Sequence, residues 1–296
     1  MTRVLITGAL GYIGSRLSAF LSQRGDHVAA TEGDLLDLHL LTATVEKAAP
    51  EVVIHLAGIS SPPMCEREPA EALRSNIAGT ASLLEAMRRA APRARLMFAS
   101  TAQVYQPPAS NAAPIVITED HPIEPQNLYA RTKWAAERLI TDSCTDDRPA
   151  TVLRLFNHTH KTQSPEFFLP HLYATISRDR AAGSRLAVPV GNLEIGRDFG
   201  SIHDLVTAFA AVLDRTPANR CEVFNVCSGI TMQLSALATQ LAERLDAAVD
   251  FVIDPARVRP GEPVAIRGSH DRLTTATGWV PRVANERDLI DAFLAD

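Results

Sequence analysis

The chain contains few cysteines, few aromatic residues and no long apolar runs. Its 296 residues include 4 cysteines, at positions 65, 144, 221 and 227, and aromatic residues make up 5%. The cysteines form no C-x-x-C pair, which argues against a zinc ribbon and a disulfide scaffold and favours reduced thiols in a cytoplasmic protein. No stretch of about 18 apolar residues occurs, so we expect no membrane-spanning segment. We also expect no signal peptide, because strand-like sequence already begins near residue 4.

Excess positive charge is also lacking. The chain has 29 Lys and Arg against 34 Asp and Glu, for a net charge of −5. We therefore expect neither nucleic acid nor an anionic membrane as a partner. His158 and His160 are two positions apart in an extended segment, so their side chains point to opposite faces and no third ligand is near. We expect no metal site.

Strand and helix patterns alternate over the first half of the chain. Apolar runs predict strands at 4–7, 27–31, 52–56, 96–100 and 151–156. Helical periodicity predicts helices at about 12–23, 36–48, 68–90 and 127–143. This alternation requires a parallel sheet with right-handed crossovers. We therefore predict an α/β fold with a doubly wound parallel sheet of the Rossmann type.

The second half is divided by Pro and Gly into shorter pieces. Further strands are predicted at 222–226 and 251–253, and helices near 202–213, 234–245 and 286–295. From these we predict two domains. Residues 1–160, with about 191–228, form the dinucleotide-binding domain, and residues 161–190 and 229–296 form a smaller C-terminal α/β substrate domain.

A glycine-rich segment follows the first predicted strand and opens the first predicted helix. Gly8, Gly11 and Gly14 allow a sharp turn, close approach of a pyrophosphate and tight packing of helix on strand. The helix N-terminus adds N–H groups and positive dipole for the phosphates. The pattern is informative because it lies between a strand and a helix.

Three further residues suggest redox chemistry at a carbonyl or alcohol. Tyr129 and Lys133 are four positions apart and share one helix face. A lysine ammonium lowers the pKa of a nearby phenol, which can then exchange a proton with a reacting oxygen. Thr101 ends a predicted strand, where α/β proteins place ligand-contacting groups, and its hydroxyl can hold the same oxygen.

The sequence resembles the extended short-chain dehydrogenases/reductases of the nucleotide-sugar epimerase/dehydratase group. The matching segments are T-G-A-L-G-Y-I-G at 7–14, G-D-L-L-D at 33–37, H-L-A-G at 55–58, N-I-A-G-T at 76–80, S-T-A-Q-V-Y at 100–105 and Y-A-R-T-K at 129–133. The resemblance implies a catalytic set of Thr101, Tyr129 and Lys133. It also implies cofactor contacts from Gly8, Leu10, Gly11, Tyr12, Ile13, Gly14, Glu32, Asp34, Leu35, Leu56, Ala57, Gly58, Asn76, Tyr129 and Lys133, with Asp34 and Leu35 at the adenine and Asn76 on the nicotinamide side.

The C-terminal half is most similar to the reductases of GDP-4-keto-6-deoxy-D-mannose. The similarity lies in segments such as F-N-H-T at 156–159, R-D-F at 197–199 and F-N-V-C-S-G at 224–229. It implies a nucleotide-sugar substrate and a homodimer. The expected substrate contacts are Asn157, Arg197, Arg257, Arg259 and Glu262, because guanidinium groups match the oxygens of a diphosphate.

Two departures from the family pattern bear on the reaction. His160, Lys161 and Thr162 replace a Gly-Pro-Gly loop that borders the sugar in the family, which indicates a changed sugar or a wider pocket. Ala102 and Gln103 replace an acidic residue that the dehydratases use, which disfavours dehydration. The leading hypothesis is a reductase of a nucleotide-linked 4-keto-6-deoxy sugar. The alternatives are a nucleotide-sugar 4-epimerase and a non-catalytic NAD(P)-binding regulator.

The choice of cofactor depends on the end of the second strand. The carboxylate of Glu32 can bind both ribose hydroxyls and repel a 2′-phosphate. No arginine follows in the same segment, although Arg3 or a more distant basic residue can serve a 2′-phosphate. We therefore favour NAD(H), with NADP(H) as the alternative.

Overall fold

The structure is a computed structural model, and it describes residues 1–108, 115–179, 185–258 and 261–295. The chain forms two compact units. The first unit comprises Met1–Gln106, His121–Leu155 and Val206–Asn225. The second unit comprises Pro107–Asp120, Phe156–Leu205 and Val226–Asp296. The assignment of cofactor and substrate roles to separate domains stays a prediction.

Strands and helices alternate through most of the described chain. The strands are β1 (Arg3–Thr7), β2 (His27–Ala30), β3 (Val52–His55), β4 (Arg95–Thr101), β5 (Ile115–Ile117), β6 (Ala150–Leu155), β7 (Asn157–Thr159), β8 (Leu186–Val190), β9 (Gly196–Arg197), β10 (Phe199–Ser201), β11 (Cys221–Val226), β12 (Met232–Gln233), β13 (Val249–Ile253) and β14 (Ile266–Gly268). The α-helices are α1 (Tyr12–Gln23), α2 (Leu38–Ala48), α3 (Pro62–Arg67), α4 (Pro69–Leu73), α5 (Gly79–Ala90), α6 (Leu128–Ser143), α7 (Phe168–Asp179), α8 (Ile202–Leu213), α9 (Leu234–Arg244), α10 (Asp271–Thr277) and α11 (Glu286–Leu294).

The first unit is built on a six-stranded sheet. Its strand order is β11-β6-β4-β3-β1-β2, and β1 pairs in parallel with both β2 and β3. The chain leaves β1 for β2 on one side and returns to β3 on the other, so the sheet has a topological switch point beside β1. Ligands of open α/β sheets bind outside the carboxyl ends of the strands at such a point. The predicted doubly wound parallel sheet is confirmed.

Apolar side chains on both faces of the sheet make its core. The registers align Leu5 with Val53 and Val53 with Leu96, and all three are buried. Helices α2, α5 and α6 contribute further buried residues, among them Leu41, Leu83 and Ile140. Burial on both faces explains why these strands are continuous apolar runs in the sequence.

The helix predicted at 68–90 is divided. Pro69 starts α4, and the chain then forms a π-helical turn at Arg74–Ala78 before α5 begins. Residue 76 lies in this turn, and π-turns of this kind occur frequently at functional sites. Helix α2 likewise starts two residues later than predicted, because Asp37 caps it by accepting a hydrogen bond from the Leu40 amide.

The described residues of the second unit form four two-stranded sheets and a separate core. The pairs are β7 with β10, β9 with β12, β8 with β13 and β5 with β14. Buried residues of α7, α9 and α11, including Leu172, Leu241 and Phe293, pack in one cluster. Helices α7 and α10 were not predicted. Pro170 argues against a helix at the start of α7 when only the sequence is considered. Proline is nevertheless tolerated in the first turn of a helix, which is where Pro170 lies.

In the described part of the chain, no helix combines the length and apolar character needed to span a membrane.

Candidate active site

The glycine loop between β1 and α1 is shaped by backbone contacts that leave no room for side chains. Gly8 has a φ of 71°, and a Cβ there would lie 2.7 Å from the amide nitrogen of Ala57. A Cβ on Gly14 would overlap the carbonyl oxygen of Gly8. Gly11 is the N-cap of α1 and has no side chain to cap the amides of the first turn. This cradle fits a pyrophosphate group.

Buried hydrogen bonds connect the end of β1, just before the glycine loop, to β3 and to α5. The hydroxyl of Thr80 donates to the Asn76 carbonyl at 2.7 Å, so it accepts from Nε2 of His55 at 3.0 Å. Nδ1 of His55 then accepts from the Thr7 hydroxyl at 2.6 Å, and the oxygen of Thr7 accepts from the Ala57 amide at 3.2 Å. Burial, and next the charge of Lys133, lower the pKa of His55 to about 3. The imidazole is therefore neutral and positions the Ala57 backbone.

Asn76 is a hydrogen-bonding bridge in the π-helical turn. Its side-chain oxygen accepts from the Ile59 amide at 2.8 Å, and Nδ2 donates to the Ile59 carbonyl and to the Thr132 hydroxyl. Gly58 packs so closely that a Cβ there would lie 2.6 Å from Oδ1 of Asn76 and 3.9 Å from Nζ of Lys133. Asn76 thus ties the predicted cofactor loop to the helix that carries Tyr129 and Lys133.

Thr101, Tyr129 and Lys133 are all buried in the first unit. Thr101 ends β4 close to the Tyr129 phenol, and its hydroxyl accepts from the Gln103 amide at 3.2 Å. Lys133 donates from Nζ to the Ala99 carbonyl at 2.9 Å, and Nζ lies 4.7 Å from the centroid of the Phe98 ring. Asn127 caps α6 through the Ala130 amide, which fixes the start of the helix. The structure thus brings the three predicted catalytic residues to the carboxyl end of β4.

Burial shifts both titrating groups away from their ordinary values. Desolvation raises the pKa of Tyr129 to about 12, against the effect of the Thr101 hydroxyl. This is the opposite direction to the lowering by Lys133 that the sequence predicted, because burial of the phenol dominates. Desolvation lowers the pKa of Lys133 to about 8, and the Glu137 carboxylate opposes this shift. At neutral pH the phenol holds its proton and the lysine is charged. This is the protonation state required to donate a proton to a forming alkoxide.

A buried ion pair behind Lys133 was not predicted. Glu137 lies one turn beyond Lys133 on α6, and both of its oxygens accept from Arg154 of β6, the shortest contact being 2.8 Å. The Ser100 hydroxyl donates to the same carboxylate. The Arg154 guanidinium stacks 4.8 Å from the Tyr105 ring, and the Tyr105 hydroxyl donates to Asn225 at 2.6 Å. The i, i+4 spacing of Lys133 and Glu137 was the only sequence signal for this network.

A cavity of about 190 Å³ lies at the carboxyl side of β2 in the first unit. Its lining residues are Gly33, Asp34, Leu35, Leu36, Ala57, Glu71, Arg74, Ser75 and Gly79. Asp34 and Leu35, the two residues predicted to lie at the adenine, are among these lining residues. The Leu36 amide and the Arg74 guanidinium lower the pKa of Asp34. Glu32 precedes the cavity residues and is exposed.

Arg74 places a positive charge at this cavity. It forms an ion pair with Asp34, 40 residues earlier in the chain. Arg3 instead bonds the Ala49 carbonyl and Glu51 at the amino end of β1, away from the glycine loop. Arg74 is thus a basic residue distant in sequence that lines the cavity, and a contact with a 2′-phosphate stays a prediction.

Three further residues that were predicted to contact the cofactor, Leu10, Tyr12 and Leu56, lie in the glycine loop, at the start of α1 and just after β3. Leu10 projects from the glycine loop with 97% of its surface exposed. Leu56 donates its amide to the Thr7 carbonyl at 3.1 Å and so holds the end of β3 beside β1. The Tyr12 ring packs under the guanidinium of Arg16 at 4.8 Å.

The predicted substrate residues that the structure describes lie in the second unit, and each has partners within the protein. Arg197 donates to the Gly196 and Pro263 carbonyls and pairs with Glu262 at 3.4 Å. Asn157 bonds the Asp198 carbonyl at 2.9 Å beside Arg197. Arg257 instead pairs with Asp254 and bonds His171. Arg259 lies outside the described residues.

The segment that replaces Gly-Pro-Gly is anchored on the end of α11. His160 donates from Nε2 to the Ala295 carbonyl at 3.0 Å, and Lys161 donates from Nζ to the Leu294 carbonyl at 3.0 Å. Thr162 bonds Nδ1 of His160. The last carbonyls of a helix lack partners within it, so these side chains cap α11.

Comparison with known proteins agrees with this geometry. Residues 4–227 match the NAD dependent epimerase/dehydratase family. The chain belongs to this family. Because epimerase/dehydratase proteins bind NAD(P) and act on nucleotide sugars, the protein is an NAD(P)-dependent oxidoreductase or epimerase.

Individual epimerase/dehydratase relatives match over nearly the full chain. GDP-6-deoxy-D-mannose reductase of Pseudomonas aeruginosa is 32% identical, covering 99% of this chain and 96% of that protein. UDP-glucose 4-epimerase of Lactobacillus helveticus is 26% identical, covering 97% and 94%. The structure of RMD from Pseudomonas aeruginosa with NADPH superposes with a TM-score of 0.85, at 31% identity over 99% of this chain and 98% of that one. The fold is that of the extended short-chain dehydrogenases/reductases.

Proposed function

We propose that the protein reduces the keto group of a nucleotide-linked 4-keto-6-deoxy sugar, of the GDP-4-keto-6-deoxymannose type. The observation that carries the proposal is the 32% identity to a GDP-6-deoxy-D-mannose reductase, which extends over both units. Buried Thr101, Tyr129 and Lys133 at the carboxyl end of β4 supply the chemistry for it. Arg197 and Glu262 are the proposed sugar-nucleotide contacts in the second unit, together with Asn157, Arg257 and Arg259.

The cofactor site fits a reduced nicotinamide dinucleotide. Gly8, Gly11 and Gly14 would hold the pyrophosphate, and the Asp34 cavity would hold the adenosine. Bound there, the cofactor supplies the hydride that goes to C4 of the sugar. The neutral His55 network and the Asn76 bridge would keep the Ala57–Gly58 backbone in place along the cofactor.

The protein groups would manage the proton at the sugar O4. Tyr129 enters the reaction protonated and gives its proton to the alkoxide as the carbonyl is reduced. Thr101, which lies beside the phenol, would donate to the same oxygen and orient it. The charge of Lys133 lowers the cost of the tyrosinate that forms, and Glu137 keeps that charge in place.

A 4-epimerase is the second candidate. UDP-glucose 4-epimerases match 97–98% of the chain at 26–27% identity, and the same three residues can serve a transient ketone. A dehydratase is disfavoured because Gln103 is neutral and its side chain accepts from Asn127 at 2.8 Å. A non-catalytic regulator is disfavoured because Tyr129 and Lys133 are both present and buried. A homodimer in the cytoplasm remains part of the proposal.

The proposal is tested with a panel of substrates and one variant. We expect GDP-4-keto-6-deoxymannose to be turned over, with UDP-glucose a poor substrate. Tyr129→Phe removes the proton donor and should lower kcat about 10²–10⁴-fold with cofactor binding retained. Tight cofactor binding without turnover of any keto-sugar nucleotide would favour the regulator instead.

A further inference from the structure

Two cysteines outside the proposed site face each other in the first unit. Cys144 is the C-cap of α6, and Cys221 is the first residue of β11 at the edge of the six-stranded sheet. Both cysteines contact Thr141 in the last turn of α6: the Cys221 sulfur lies 3.7 Å from its hydroxyl, and the Cys144 amide donates to its carbonyl at 3.3 Å, while the Cys144 thiol donates to the Ile140 carbonyl at 3.2 Å. The Ala150 amide donates to the Arg220 carbonyl at 2.8 Å and holds the two segments together. The pair is thus formed by residues that are distant in sequence but fixed in the fold.

Both thiols are accessible from solvent. They line a cavity of about 500 Å³ together with Thr141, Asp142, Asn219 and Arg220. Both cysteines are partly exposed, and the Cys221 sulfur lies 3.7 Å from the Thr141 hydroxyl. The other two cysteines differ, since Cys65 has no exposed surface and Cys227 is 4% exposed.

The surroundings favour a thiolate on one sulfur. The neighbouring Cys144 thiol lowers the pKa of Cys221 to about 7, against the effect of burial. The Cys221 thiol in turn raises the pKa of Cys144. A low-pKa, accessible thiol next to a second thiol is the arrangement found at reversible redox sites.

We propose that Cys144 and Cys221 are a redox modification site that closes to an intramolecular disulfide. The oxidant is a small disulfide such as oxidised glutathione. The Cys221 thiolate attacks one sulfur of oxidised glutathione and releases one glutathione thiolate. Cys144, as its thiolate, then attacks the Cys221 sulfur of this mixed disulfide and releases the second glutathione. The two protein thiols lose two electrons and two protons, and oxidised glutathione becomes two reduced molecules.

The disulfide would connect the helix that carries Tyr129 and Lys133 to the edge strand of the sheet. It closes a loop of about 77 residues, and long loops give a disulfide a large effect on the unfolded chain. We therefore expect oxidation to raise the midpoint of thermal unfolding by several degrees. Reduced glutathione or dithiothreitol should reverse the shift.

The test uses the intact protein treated with oxidised glutathione and analysed by non-reducing mass spectrometry. We expect a loss of about 2 Da, with one linked peptide pair that contains Cys144 and Cys221. Cys144→Ser should instead gain about 305 Da as a glutathione adduct on Cys221, because no second thiol resolves it. Cys65 and Cys227 serve as internal controls that should stay unmodified in the folded protein.

Three outcomes would overturn the proposal. The wild-type chain could keep four free thiols, it could accumulate the glutathione adduct as Cys144→Ser does, or its disulfide could map to another pair. If Cys144→Ser does not fold, the peptide map and the reversible shift in unfolding of the wild-type chain still decide the question. None of these readouts depends on turnover, so the result is independent of the proposed reductase activity.

Discussion

The buried Glu137–Arg154 pair offers the sharpest perturbation near the proposed site. The side chains of Glu137 and Arg154 are 3% and 6% exposed, and the closest contact between them is 2.8 Å. Glu137→Gln keeps the size of the side chain and removes the charge. Arg154 is then a buried cation without its counterion, and breaking a buried pair from one side costs about 3–5 kcal/mol. A loss of that size reduces the folding equilibrium constant at least about 10²-fold.

The same change should alter the proposed active site. The pKa of Lys133 is about 8 because burial lowers it while Glu137 raises it. Without the carboxylate, this pKa falls further and Lys133 loses its proton at lower pH. We expect the alkaline limb of the kcat/KM profile for reduction to move to lower pH. The shift separates an electrostatic role of Glu137 from a purely structural one.

Urea denaturation and a pH–rate profile are the assays. Glu85→Gln is the matched control, because Glu85 also pairs with two arginines, Arg88 and Arg89, but lies on the surface of α5. We expect no measurable change in stability or in the pH profile for this control. Glu137→Gln with unchanged stability and an unmoved limb would refute the reasoning about the buried network.

Four further predictions concern the cofactor preference, Arg74, the pH dependence and the Asn76 bridge. We expect a higher kcat/KM with NADH than with NADPH. Glu32→Gln should raise kcat/KM for NADPH relative to NADH several-fold. A tenfold preference of the wild-type enzyme for NADPH, about 1.4 kcal/mol, would contradict this prediction. Arg74→Gln should lower kcat/KM for NADPH more than for NADH, and equal losses would exclude a contact with the 2′-phosphate. The kcat/KM for reduction should fall above pH about 8 as Lys133 deprotonates, whereas a flat profile from pH about 6.5 to 9.5 would contradict it. Asn76→Ala removes three hydrogen bonds and should lower unfolding stability by about 1–3 kcal/mol in urea denaturation, and no loss would contradict the bridging role.

Local patterns in the sequence were sufficient to predict the sheet strands and most helices of the first half of the fold, but not α3, β5 or the division of the helix at 68–90. The run at 4–7 followed by Gly8, Gly11 and Gly14 predicted β1, the loop and α1, because each step depends on neighbouring residues. The four-residue spacing of Tyr129 and Lys133 placed both on one face of α6. Helix α7 was missed because Pro170 masks its first turn.

Contacts between distant residues could not be predicted in the same way. Arg154 pairs with Glu137 across 17 positions and Arg74 with Asp34 across 40, and no local pattern selects these partners among the 29 basic residues. Asn76 was expected at the nicotinamide side, but the bridge from Ile59 to Thr132 depends on a π-helical turn that periodicity does not reveal. Charge pairing and backbone irregularities at the site emerge only when the sheet brings the segments together.

The redox stoichiometry of turnover tests the proposed reduction most directly. The protein is incubated with GDP-4-keto-6-deoxymannose and reduced cofactor, and absorbance at the nicotinamide band is followed together with the sugar products. The account predicts that one cofactor is oxidised for each 4-keto sugar reduced, and that Tyr129→Phe slows both processes equally. Interconversion of 4-hydroxy epimers with no net consumption of cofactor would contradict the account and identify an epimerase.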